Sequence, residues 1–162
     1  MLPYHDKKPK GAADFYFAIN ATFRFIKNRF GMDQLIRYWV DLGKSSYYQP
    51  VAEDWKKRGL DAVAEYWKDF FAAEPEAMVN VSTDGSIVRL EVAQCPAILH
   101  LKKHSREIVP EFCQHCYFVS NSLAACAGLE ARVAGGAGSC VQTFGTTASL
   151  AVQEMTVIRR VE

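Results

Sequence analysis

The hydrophobic period of this chain changes near Pro75, and that change restricts the fold more than any other feature. Before it the pattern is helical. Between Ala12 and Phe30, the residues Phe15, Ile19, Phe23, Ile26 and Phe30 recur at steps of three and four, which places them on one stripe. Gly31 stands where a helix ends. Asp33 is suited to cap a shorter helix bearing Leu35, Ile36, Trp39 and Val40, which Gly43 closes. A third helical stretch opens at Pro50, bends at Gly59 and runs through Val63, Trp67 and Phe71 to Pro75.

After Pro75 the period is two. "MVNVSTDGSIVRLEV" alternates on both sides of Asp84-Gly85, a hairpin signal, with Val88, Leu90 and Val92 facing one way and Arg89 and Glu91 the other. The chain leaves this strand at Cys95-Pro96. Pro110 predicts the first turn of a helix that runs through "EFCQHCYFVSNSLAACA" and stops at Gly128. "LEARV" and "CVQTF" flank the Gly-rich turn at 134–138 as a second hairpin, and the tail from Ser149 to Val161 predicts one more strand. The expected fold is α+β: N-terminal helices followed by an antiparallel sheet with one long helix packed on it. The 162 residues make a single domain, 1–162, with a flexible lead-in over 1–11, a helical part over 12–74, and a sheet plus helix over 76–162.

A net charge of +1 argues against a nucleic-acid partner, and no apolar run has the length of a membrane span or signal peptide. A cytoplasmic setting follows as the expectation, in which thiols stay reduced; the odd number of cysteines, five, also argues against a full disulfide framework. Cys113 and Cys116 are three apart and share a helix face, whereas Cys126 reads as a small hydrophobe of the core. Cys113, about one turn after Pro110, is the candidate thiolate, since free N–H groups and the helix dipole lower a thiol pKa there. Cys95 and Cys140 stand at strand ends. Together Cys95, Cys113, Cys116 and Cys140 are a candidate ligand set for zinc or iron, with His100 and His104 as further nitrogen donors; a buried structural role remains the alternative for each. Arg89 is placed to bind a substrate carboxylate, and the backbone at Gly136 and Gly138 to approach a ligand beside Cys140.

The order "CPA" from Cys95, then "EFCQHC", then "GLEARVAGGAGSC" followed by "VQTF", resembles the L-2-amino-thiazoline-4-carboxylic acid hydrolase-like family. It is similar also to the related sensor and reductase domains named for bacteriochlorophyll 4-vinyl reductase. The helical "GLDAVAEYWKDFF" suits the hydrolase-like members, and the resemblance covers about residues 55–145. It implies an α+β body and a cytoplasmic hydrolase that opens a C–N bond of a cyclic amidine or similar small heterocycle. It also implies that Cys95, Cys113 and Cys140 are the site positions; Cys116 departs from the pattern, which has an acidic residue nearby. Two functions fit these residues. One is an enzyme using a cysteine thiolate or a cysteine-held metal. The other is a metal or small-molecule sensor in which the N-terminal helices signal or form a homodimer.

Overall fold

The computed structural model describes residues 12–162. The lead-in expected over 1–11 lies outside the described residues. Helices α1 (Phe15–Phe30), α2 (Met32–Gly43), α3 (Gln49–Arg58) and α4 (Leu60–Ala73) come first. Strands β1 (Met78–Thr83) and β2 (Ile87–Gln94) follow, then helices α5 (Pro96–Lys103) and α6 (Gln114–Cys126), and finally strands β3 (Glu130–Gly136), β4 (Ser139–Gly145) and β5 (Ile158–Arg159). The α+β class expected from the change of period is the observed one.

The breaks between helices are where the glycines are. Gly31 ends α1 with its N–H on the Lys27 carbonyl and starts α2, so Asp33 sits in the first turn of α2 rather than at its cap. Gly59 separates α3 from α4. The Asp84 side chain shapes the first hairpin, accepting from the backbone N–H of Ser86 at 2.9 Å and of Ile87 at 3.0 Å.

The strand order is β1-β2-β4-β3-β5, with every neighbouring pair antiparallel except β3 and β5, which run parallel. Two expectations are corrected here. The tail contributes only the two residues of β5, preceded by a 3-10 turn at Met155–Val157, rather than a strand from Ser149. Helix α6 begins at Gln114, because residues 110–113 form turns instead of the first helical turn.

One face of the sheet carries the buried side chains Val88, Leu90, Val92, Ala131, Val133 and Phe144. Helix α4 covers it over β1 and β2, and α6 covers it over β3, with α2 packed on α6. Phe23, Trp39, Ile98 and Phe112 belong to one part of the core; Trp55, Val63, Leu90, Leu123 and Phe144 belong to the other.

Candidate functional site

Cys95 ends the strand side of β2 and is the residue from which α5 starts; its N–H donates to the Gly138 carbonyl at 2.8 Å. Cys113 precedes α6, and its sulfur accepts from the Ala137 N–H at 3.2 Å. Cys116 lies in the first turn of α6, and Cys140 pairs with Val92 on one side and Gly135 on the other. The turn after β3 thus touches two sulfur-bearing residues through its backbone.

Gly136 is required there. Its φ is +139°, and an added Cβ would stand 2.6 Å from the Arg159 carbonyl oxygen and 3.2 Å from the Cys113 Cβ. Only a residue without a side chain lets β5 and Cys113 pass on its two flanks.

The four thiols lie within electrostatic reach of one another. Burial raises the Cys95 thiol to about 11, and a charge on Cys116 opposes its ionisation further. Burial raises Cys113 to about 12, again reinforced by Cys116, and raises Cys116 itself to about 12. Cys140 is pushed up by burial and then by Cys116, Cys95 and Cys113. At neutral pH these are thiols, so the expectation that the start of a helix makes Cys113 a thiolate is corrected. The Ala137 N–H and the Arg159 charge do favour its anion, but burial outweighs them. At Cys95 the N–H groups of Ala97 and Ile98 act in the same favourable sense without a formed capping bond, and burial again wins.

Comparison with protein-family models, with curated proteins and with solved structures finds no match to this chain.

The other expected residues separate into those at the sulfurs and those elsewhere. Gly136 and Gly138 are at the sulfurs. Arg89 is not: it lies on the outward face of β2 and pairs with Glu91 at 2.9 Å, opposite the face that holds Val88, Leu90 and Val92. His100 bonds to Asp14 at 3.0 Å and stacks on Phe17, and His104 meets the edge of the same ring, so both belong to the contact between α5 and α1. Cys126 is exposed, not a core residue, and its sulfur contacts the Ser122 carbonyl. Among the described residues no group of three or more His, Cys, Asp or Glu is arranged to hold a metal ion. The Cys95, Cys113, Cys116 and Cys140 set is not so arranged.

Four residues near the sulfurs, Tyr16, Glu74, Tyr48 and Arg159, carry no motif in the sequence. Tyr16 donates to Glu74 at 2.5 Å, and the ionisation of both Tyr16 and Cys95 is opposed by the Glu74 charge, which brings a carboxylate to the sulfurs from the end of α4. Tyr48, raised by burial to about 12, also feels Cys116. Arg159 bonds to the Ser139 carbonyl and hydroxyl at 3.1 Å each and lines an open cleft of about 750 Å³ with Lys102, Gln114, Ala137 and Arg160. Nothing in the spacing of Tyr16, Glu74 or Arg159 connects them to the cysteines; only the packing of α1, α4 and β5 does.

Among the described residues no helix is long and apolar enough to cross a membrane.

Proposed function

We propose that this chain is a small-molecule hydrolase that opens a C–N bond of a cyclic amidine through a cysteine thiol. The observation that carries the reading is the mutual electrostatic reach of Cys95, Cys113, Cys116 and Cys140 beside the Gly136–Gly138 turn, whose backbone already donates to one sulfur. The amide N–H groups of that turn are suited to a developing negative charge. Arg159, which lines the cleft and whose charge reaches Cys113, takes the carboxylate-binding part that Arg89 was expected to play. The Tyr16 hydroxyl, bonded to Glu74, adds a polar pair within electrostatic reach of Cys95.

The test is direct. Purified protein is incubated with 2-amino-thiazoline-4-carboxylate and with a plain cyclic amidine, and ring opening is followed by mass spectrometry. Turnover that is lost on serine substitution of one of the four cysteines, with the fold retained by circular dichroism, supports the reading. Wild-type protein that opens neither ring overturns it.

A second reading, a small-molecule sensor without turnover, is favoured by the raised thiol pKa values, since a protonated thiol is a weak nucleophile. In it the exposed Phe15, Phe25 and Phe30 of α1 supply a homodimer surface in a cytoplasmic protein. Ligand-dependent thermal stabilisation with no product distinguishes this outcome.

A further inference from the structure

The chain holds 19 lysines and arginines against 18 aspartates and glutamates, so an excess of one sign anywhere on it is a matter of placement. The open cleft of about 750 Å³ has such an excess. Lys102 of α5 and Arg159 and Arg160 of the tail line it, and Glu162 is the one acid among its described lining residues.

Arg159 is anchored without being neutralised. Its Nη2 donates to the Ser139 carbonyl and hydroxyl at 3.1 Å each, and both acceptors are uncharged. The guanidinium therefore keeps its full charge, with its other N–H groups left for a ligand. Its backbone is placed as closely: β5 sets Arg159 beside Gly136, where a Cβ would stand 2.6 Å from the Arg159 carbonyl oxygen. Lys102 is unneutralised too. Of the basic residues in the last turn of α5, His100 reaches Asp14 at 3.0 Å and Lys103 reaches Glu76 at 3.5 Å, while Lys102 pairs with no carboxylate among the described residues. Arg160 does have a partner, Glu111 at 2.6 Å, but the same carboxylate also holds Lys27 at 2.6 Å. With that shared acid counted in, the cations Lys27, Lys102, Arg159 and Arg160 stand with the acids Glu111 and Glu162, four against two.

The rest of the wall suits an organic molecule. Gln114 and Thr156 add neutral hydrogen-bond donors, and Met155 adds apolar surface. Ala137 belongs to the same wall and donates its N–H to the Cys113 sulfur, so an occupant of the cleft lies one residue away from that thiol. A singly charged ligand leaves half of the excess uncompensated; a doubly charged one matches it.

We propose that this cleft binds a small, doubly charged organic anion, a phosphomonoester or a dicarboxylate, through Arg159 and Lys102. The assignment adds a second charge to the carboxylate-binding part given to Arg159. It asks only for binding, so it holds for a hydrolase and for a sensor alike.

The full chain is titrated by isothermal calorimetry with glycerol 3-phosphate, with succinate and, as the singly charged control, with acetate, all at one ionic strength set with sodium chloride. A doubly charged probe is expected to bind saturably, one per chain, and roughly 10-fold or more tighter than acetate. Tighter binding of glycerol 3-phosphate assigns a phosphate as the anionic group; tighter binding of succinate assigns two carboxylates. Arg159→Gln and Lys102→Gln are each expected to weaken the tighter probe roughly 5-fold or more, and Glu162→Gln to strengthen it. Lys103→Gln, which removes the neighbour already paired with Glu76, is expected to leave it unchanged within about 2-fold. Lys102 and Arg159 are exposed and lie on different elements, so a loss in either variant that keeps its circular dichroism decides the point. Absence of saturable binding by both doubly charged probes, acetate bound equally well, or the same weakening from Lys103→Gln as from Lys102→Gln overturns the proposal. None of the probes contains a cyclic amidine, so the outcome is read independently of ring opening.

Discussion

Asn20 shows how much one side chain can hold. It is buried on α1; its Nδ2 donates to the Glu107 carbonyl at 2.8 Å, and its Oδ1 accepts from the Val109 N–H at 3.1 Å. Those two bonds satisfy the backbone just before the turns that present Cys113. Asn20→Ala leaves both backbone groups unpaired and is expected to cost about 2–3 kcal/mol, read from the shift of the urea unfolding midpoint. The same helix shows how a stripe read from sequence is trimmed by the ends of the element. Phe23 is buried and Ile19 and Ile26 pack against the core, but Phe15 at 65% and Phe30 at 58% exposed reach past it. Periodicity names the side of the helix that faces inward; it does not say how far the partner surface extends.

At the scale of elements, the approach of α2 to α6 positions the thiols, because α6 carries Cys116 and begins beside Cys113. That approach depends on Gly43. A Cβ there would stand 2.4 Å from the Val119 carbonyl oxygen and 2.8 Å from the Ser122 Cβ. Gly43→Ala is expected to push the two helices apart and to destabilise the protein by about 3 kcal/mol in urea unfolding. In the sequence this glycine reads as the close of a helix, and it is the last residue of α2. Its second role, as the contact point between two helices, belongs to the packing alone. The two-residue β5 is the converse case: the alternation of residues 149–161 suggested a longer strand, but only Ile158 and Arg159 find a partner, alongside Gly135 and Gly136.

For the whole molecule, the buried thiols give stability a definite pH dependence. Their folded pKa values, about 11 for Cys95 and about 12 for Cys113 and Cys116, stand above the ordinary value of 9.0. Below the ordinary value both folded and unfolded states hold the proton, and the contribution is fully present. As pH rises from there toward about 12, the unfolded chain ionises first and stability is lost, by about 1 kcal/mol per pH unit for each such thiol. Tyr48, raised by burial to about 12, acts in the same direction. Urea midpoints measured near pH 7 and near pH 10 are expected to fall at the higher pH, and Cys116→Ala to flatten the difference. Midpoints that do not change with pH would show that the thiols are not buried as described.

The α+β class, the three breaks at Gly31, Gly43 and Gly59, both hairpins, and the inward set Val88, Leu90 and Val92 are all legible in the residue pattern. These are local matters: a period of 3.6 or of two and a turn residue act within a few positions of one another. Cys95, Cys113, Cys116 and Cys140 stand out in the same pattern. Only the packed fold shows that these thiols are protonated, that Arg89 faces away and Arg159 faces the cleft, and that Tyr16 of α1 and Glu74 at the end of α4 come within electrostatic reach of Cys95 and Cys116. Charge state depends on how much water the assembled fold removes around a group, and partners such as Tyr16 and Glu74, 58 residues apart, meet only when the helices dock.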